Sequence, residues 1–336
     1  MRRLIINRLG MMILMLLGLM VITFVVSNVA PGDPARLAAG PDATQEMVEV
    51  IRVERGLDKP LVMRFFVYLG HVLTGDFGKS IHTGRPVLQD LSIFFPATLE
   101  LVLVSIGFAI ILGIPLGVIS AVKQNQAADH LIRIFAVSGV AMPMFWLGLM
   151  LQWYLALEAD IFPLGGQLGI MTDPPAHITG LLTIDALLTL NFPVFAEAFM
   201  HILLPALALS FPALASIIRV NRAEMLEALN KDYVTNAKAQ GIGPFRIVAH
   251  YALKNALLPT LAMIGLRFGW MLGGTVLVEG VFDWPGVGLY AAKAAISSDF
   301  EPIMAVTLIL GGSFMLANLL IDLAYAALDP RVRSQV

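Results

Sequence analysis

DYVTNAKAQGIGPFRIVAHYALKNALLPT, Asp232 to Thr260, is polar and basic, is interrupted by Gly-Ile-Gly-Pro, and lies between two of the most apolar runs of the chain. Its residues are not those of a flexible linker. The stretch leading into it, RAEMLEALNKDYVTNAKAQ, Arg222 to Gln240, is rich in Ala, Glu, Lys, Leu and Met, which form helices well. Met225, Ala228 and Leu229, at i, i+3 and i+4, share one face of such a helix. Gly241 suits the left-handed position after a helix end, and Pro244 suits the first turn of the next helix. PFRIVAHYALKNALLP then places Ile247, Tyr251 and Lys254 on one side and closes at Leu258-Pro259, where the next apolar run begins. The spacing predicts a helix, a glycine corner and a second helix that leads into the oily part of the chain. By pattern alone, this is equally a connector with no partner and a rigid corner that passes force to one.

The surroundings of this stretch are those of a membrane protein. The 336 residues are 58% hydrophobic and only 14% charged, against about 25% charged in soluble domains. A net charge of −2 gives no electrostatic reason to bind nucleic acid, and the absence of cysteine excludes disulfides, thiolate zinc sites and cysteine nucleophiles. A bilayer core needs about 20 apolar residues per helix. Six runs satisfy that, over residues 9–30, 98–122, 132–157, 201–220, 257–281 and 303–328. The first follows Arg2, Arg3 and Arg8, is too long for a signal-peptide core and lacks a small-residue cleavage site, so it reads as an uncleaved anchor. One transmembrane domain over residues 1–336 results, with an outer segment at 31–97 and an inner loop at 221–256.

Orientation follows the basic residues beside the helix ends. With the N-terminus inside, Lys123, Arg133, Arg219, Arg222, Lys231, Lys238, Arg246 and Lys254 all fall inside, as do Arg331 and Arg333. The outer loop from Glu158 to Met200 has five acids and neither Lys nor Arg. The outer segment 31–97 is basic, but long loops cross with little regard for charge. Both termini, and the opening stretch, are therefore expected inside.

No chemistry of bond-making is legible. TGDFGKS, Thr74 to Ser80, imitates the end of a phosphate loop, but position 73 is Leu where that loop requires Gly. The six histidines are scattered without ligand spacing, and no metal site is expected. No serine–histidine–acid set or aspartyl pair stands out, so no catalytic residue is assigned and an intramembrane protease is disfavoured. A stand-alone secondary transporter, the rival from another class, predicts paired midplane ionisable groups and inverted repeats, and neither is seen.

YVTNAKAQG, Tyr233 to Gly241, followed by HYALKNALLP, His250 to Pro259, resembles the EAA loop of ATP-binding-cassette importer permeases in its peptide-permease form. Ala237 and Gly241 match the motif's second alanine and its glycine, and Leu258-Pro259 its closing Leu-Pro. Thr235 and Asn236 depart from the Glu-Ala that names the motif, and the interval from Gly241 to Pro259 is longer than in the general form. Both departures are usual in the peptide branch. The likeness continues in PGDPARLAAG, RGLDKPLVMRFFVYL, GDFGKSI, FFPATLELV and GIPLGVISAVK before the loop, and in VEGVFDWPGVG and LIDLAYAALDPRVR after it. The chain is similar to the first permease subunit of dipeptide and oligopeptide importers, with D,D-dipeptide permeases nearest in appearance.

The resemblance implies an all-α membrane protein with six transmembrane helices and the MetI-like, type I importer fold. It implies a permease subunit in a bacterial inner membrane, not an enzyme, with ATP bound by partner subunits and no cofactor of its own. The implied partners are a second, similar permease, two cytoplasmic ATPases, an extracytoplasmic solute-binding protein and membrane lipid. Ala237, Gly241, Ile242, Gly243, Leu258 and Pro259 are the implied ATPase-coupling residues. Nickel chelates, glutathione or other small solutes are the alternative cargoes that relatives with this fold carry.

Ionisable groups within membrane runs cost roughly 2.5–3.5 kcal/mol on insertion scales, so they face a cavity or a partner. Arg267, Glu100 and Glu279 are the candidates for a substrate pathway. For Arg267 an ion pair with Asp322, or with an acid of a second subunit, competes with a place on the pathway. Gly265, Gly269, Gly273 and Gly274 are expected to let helices pack closely, and Pro115, Pro143, Pro205 and Pro212 to bend theirs.

Overall fold

In the computed structural model, residues 2–29, 35–36, 43–54 and 56–328 are described. Among them the chain is helical, and its only strand-like feature is one isolated bridge between Lys79 and Pro86. Most of PGDPARLAAG, and the end of the chain beyond residue 328, lie outside the described residues.

The first apolar run forms α1, Arg2–Val29. Two short helices follow before the second run, α2 at Gln45–Glu54 and α3 at Leu61–Leu73. The second run is α4, Val87–Val122, which starts well before the apolar stretch that announces it. It stays a single helix despite Pro96 and Pro115. The third run is not one straight helix. It divides into α5, Ala127–Ala141, and α6, Met144–Leu151, which continues as a π-helical turn over Gln152–Glu158, and the halves are bent by 106°. The cause is local: Pro143 disfavours helical geometry in the residue before it, and Met142 is extended, at φ −80° and ψ 126°.

A short helix, α7 at Leu182–Leu188, precedes α8, Phe192–Leu229. Pro205 and Pro212 lie inside α8 without interrupting it. Its last turns were expected in the inner loop, but they continue the membrane helix. The loop helix is α9, Asp232–Ala239. From Pro244 the chain is helical through a π turn at Ile247–Ala252 into α10, Leu253–Val281. A short helix, α11 at Val287–Ile296, and the last run, α12 at Phe300–Leu328, complete the fold. Five helical segments are long and apolar enough to cross a bilayer, and the bent pair makes a sixth.

Helix α8 is the centre. The most apolar stretch of α8 is 78% buried, against 11% in α1 and 17% in α12, which therefore form the rim. Its partners approach closely because small residues face it. A Cβ at Gly113 of α4 would stand 2.8 Å from Ile217, and one at Gly139 of α5 would stand 2.8 Å from Ala215. At the rim, Arg8 of α1 pairs with Asp322 of α12 at 3.1 Å, so the start of α1 and the end of α12 share one end of the bundle. That end also carries the α4–α5 turn and the corner before α10.

Candidate functional site

The corner forms as the sequence predicts, and its geometry is fully specified. Gly241 sits at φ +74°. Its N–H donates to the Lys238 carbonyl at 3.0 Å, and the N–H of Ile242 donates to the Ala237 carbonyl at 3.1 Å. This pair of bonds is a Schellman cap, and its customary apolar contact is supplied by Ile242 against the cluster containing Ala237. Gly243 is extended before Pro244, which opens the next helix.

The corner has its own small core. Val234, Ala237 and Ile247 are buried, with Leu229, Ile242 and Tyr251 packed around them. A second cluster, Met225, Ala228, Ala252, Ala256 and Ala121, fixes the corner to α4, α8 and α10. The Asn255 amide donates to the Tyr233 hydroxyl at 3.1 Å, tying α9 to α10 directly. One expectation fails here. Lys254 is exposed and does not share the inward side of Ile247 and Tyr251, because the π turn over Ile247–Ala252 shifts the register. Ala252 and Ala256 take the inward places instead.

The coupling candidates divide accordingly. Ala237 is 3% exposed and Ile242 half-buried, so they build the corner from within. Gly241 and Gly243 are at its surface, and Leu258 and Pro259 are half-buried in the first turns of α10. Sequence reasoning missed the most exposed apolar side chain of the corner. Phe245 is 83% exposed, beside exposed Lys238, Gln240 and Arg246. The available signal was a large aromatic directly after Gly-Pro in an otherwise polar stretch.

Also missed was the ion pair that braces this end. Asp129, at the start of α5, is fully buried and accepts from Arg222 Nε and Nη2 at 2.7 and 2.8 Å. Ser120 Oγ and the Asn125 N–H also donate to it, at 2.6 and 3.0 Å.

The three pathway candidates separate. Glu100 accepts from the Leu182 and Thr183 N–H groups at 3.2 and 2.6 Å and from the Thr183 hydroxyl, at the start of α7. Glu279 accepts from the Thr98 hydroxyl and the Leu289 N–H, both at 2.7 Å, at the start of α11. Both carboxylates are buried and stabilise helix N-termini, where orphan N–H groups and the dipole favour negative charge. They brace the end of the bundle away from the corner, Glu100 against α7 and Glu279 against α11. EGVFDWPGVG is thus a folding motif, which Trp284 Nε1 completes by donating to the Ala97 carbonyl at 2.9 Å. GDFGKSI has the same character. The N–H of Lys79 donates to Glu301 at 2.7 Å, and Ser80 Oγ and the Ile81 N–H donate to Asp299 at 2.8 and 2.7 Å. Amides committed to carboxylates have nothing to offer a phosphate.

Arg267 alone meets open space. It lines a cavity of about 600 Å³ with Met144, Leu209, Pro212, Trp270 and Phe314. The expected pair with Asp322 is not formed, since Asp322 is taken by Arg8. Among the expected packing glycines, Gly265 and Gly269 lie against Ile321 and Phe314, and Gly274 against Met144. Gly273 has nothing within 4 Å of where its Cβ would stand.

Residues 113–334 match the family described as binding-protein-dependent transport system inner membrane component, and residues 1–102 match the N-terminal domain of that membrane component. A probable D,D-dipeptide transport system permease protein, DdpB of Escherichia coli (strain K12), is 45% identical over 321 residues, 96% of this chain and 94% of that protein. The dipeptide transport system permease protein DppB of Alkalihalophilus pseudofirmus is 36% identical over 327 residues, 97% of this chain and 98% of that protein. The glutathione transport system permease protein GsiC of Pectobacterium atrosepticum is also 36% identical, over 98% of each chain.

Proposed function

The chain belongs to the family of binding-protein-dependent transport system inner-membrane components, and from that premise we propose that it is the permease subunit of an ATP-driven importer of dipeptides or short oligopeptides. The cargo reading rests on the dipeptide permeases among its relatives. In this reading a second, similar permease completes the membrane pathway, two ATPases dock at the inner face, and a binding protein delivers cargo outside. The subunit does no chemistry and binds no nucleotide itself.

The observation that carries the coupling role is the exposed Phe245 on a corner whose own core is continuous with three membrane helices. An aromatic side chain at the tip of a rigid, basic corner suits a groove on a soluble motor, where burial of such a residue contributes strongly to binding. Closure of the two ATPases would push the corners together, and the shared core would pass the displacement to α4, α8 and α10. Both termini lie on the inner side in this reading, together with the corner and most of the basic residues.

The chain has no cysteine, so Phe245→Cys creates a unique reactive site. In native vesicles this variant is expected to cross-link to a nucleotide-hydrolysing subunit. A product that contains only lipid or a second permease would sink the docking role.

A further inference from the structure

The environment of Arg267 supplies no reason for a cation. Its Nε is buried without a hydrogen-bond partner. Among the described residues no carboxylate lies within ion-pair distance, and the charge that acts on it is Arg219, another cation. The cavity wall around it is otherwise apolar. Leu209 and Pro212 lie midway along α8 and Phe314 midway along α12, so the cavity is at mid-depth and not at either mouth. Gly273 leaves it open where any side chain would project.

A guanidinium that lines an apolar cavity at mid-depth, with no acid beside it, is complementary to an oxyanion such as a carboxylate, which it binds in a planar, two-toothed fashion. Every linear peptide with a free C-terminus brings one. We propose that Arg267 is the transit site for the carboxylate of the cargo, with Met144, Trp270 and Phe314 receiving its apolar side chains. Exposed Arg219 lies nearer the corner end of α8 and is the next cation the carboxylate meets on its way in. This inference rests on the peptide reading above.

The test uses the complete importer, with partner permease, ATPases and binding protein, in proteoliposomes, and alanyl-alanine at saturating binding protein. Arg267→Gln is expected to lower maximal uptake about tenfold or more, the effect of one charged hydrogen-bonded contact. Arg267→Lys should recover a large part of it. Gly273→Leu, which fills the cavity and leaves the guanidinium in place, should also depress uptake. In all three, partner permease should co-purify as in the wild type, and binding-protein-stimulated ATP hydrolysis should persist. Wild-type dipeptide uptake that Arg267→Gln leaves unchanged overturns this inference and spares the cargo reading. Loss of the partner permease from the purified Arg267→Gln complex also overturns it, by assigning Arg267 to an intersubunit ion pair. A wild-type complex that imports only solutes without a carboxylate overturns both.

Discussion

Gly241 carries a backbone angle of φ +74°, and the two bonds of its cap depend on it. A β-branched residue held there costs on the order of 1–2 kcal/mol, whereas Asn tolerates the conformation. Gly241→Val is therefore expected to lower peptide uptake per ATP hydrolysed, and Gly241→Asn to stay near wild type. Equal coupling in the two variants would remove the corner from the mechanism. Asp129 invites a different experiment. It is fully buried on four donor contacts from Arg222, Ser120 and Asn125. Removing one partner of such a pair strands the other, at about 3–5 kcal/mol, whereas replacing both with apolar residues costs far less. Asp129→Ala should depress the thermal midpoint of the detergent-solubilised protein well below that of the double variant Asp129→Leu/Arg222→Met. The reverse order would show that Arg222 is solvated without its partner. Neither residue announced this role, since the pair joins positions far apart in sequence and each alone resembles an ordinary interfacial charge.

At the scale of elements, local signals were legible where local chemistry decides the outcome. The Gly241 corner and the Pro244 start follow from backbone preferences that need no tertiary partner. The π turn at Ile247–Ala252 was not legible, because one inserted residue in a helix changes no composition yet moves Lys254 outward. The helix α7 was also hidden, since its stability comes from one distant carboxylate, Glu100, and from one of its own, Asp185, that clasps the loop before it. Glu100 accepts from its first residues, and Asp185 accepts from the N–H groups of Ile178, Thr179 and Gly180 at 3.2, 2.7 and 3.0 Å and from the Thr179 hydroxyl at 2.6 Å. Burial pushes the Asp185 carboxyl up, but the Thr179 hydroxyl and these N–H groups together hold it below its ordinary value. A depressed carboxyl stabilises the fold fully above its unfolded value of about 3.9, and that contribution is lost as pH falls from there through the folded value. Hydrogen exchange of the amides at 178–180 should accelerate as pH is lowered through this window, beyond the intrinsic pH dependence. In Asp185→Asn it should be fast already at neutral pH and lack the acid-induced step. A wild-type profile without that step would exclude the carboxylate as the clasp.

For the whole molecule, six apolar runs sufficed to read the class of fold, because a bilayer admits few alternatives for a backbone that must satisfy itself. They did not say which helix is central. That depends on Gly113 and Gly139 meeting α8, a pairing that composition cannot reveal. Nor did they say that the third run breaks at Pro143 while Pro115, Pro205 and Pro212 sit inside continuous helices. The structure does link the two ends of the chain, since Arg8 and Asp322 pair at the end that carries the corner. Orientation of the molecule is then a single choice, and the proposal that the corner lies inside rests on the basic residues around it. The cysteine-free background makes that choice measurable. Ile170, 104% exposed in the loop before α7, and Phe245, 83% exposed at the corner, stand at opposite ends of the bundle. In intact spheroplasts a membrane-impermeant maleimide should label Ile170→Cys at once and Phe245→Cys only after permeabilisation. The opposite pattern would place the corner outside, beyond the reach of any cytoplasmic motor. Equal labelling of both before permeabilisation would mean that the bundle does not separate the two compartments.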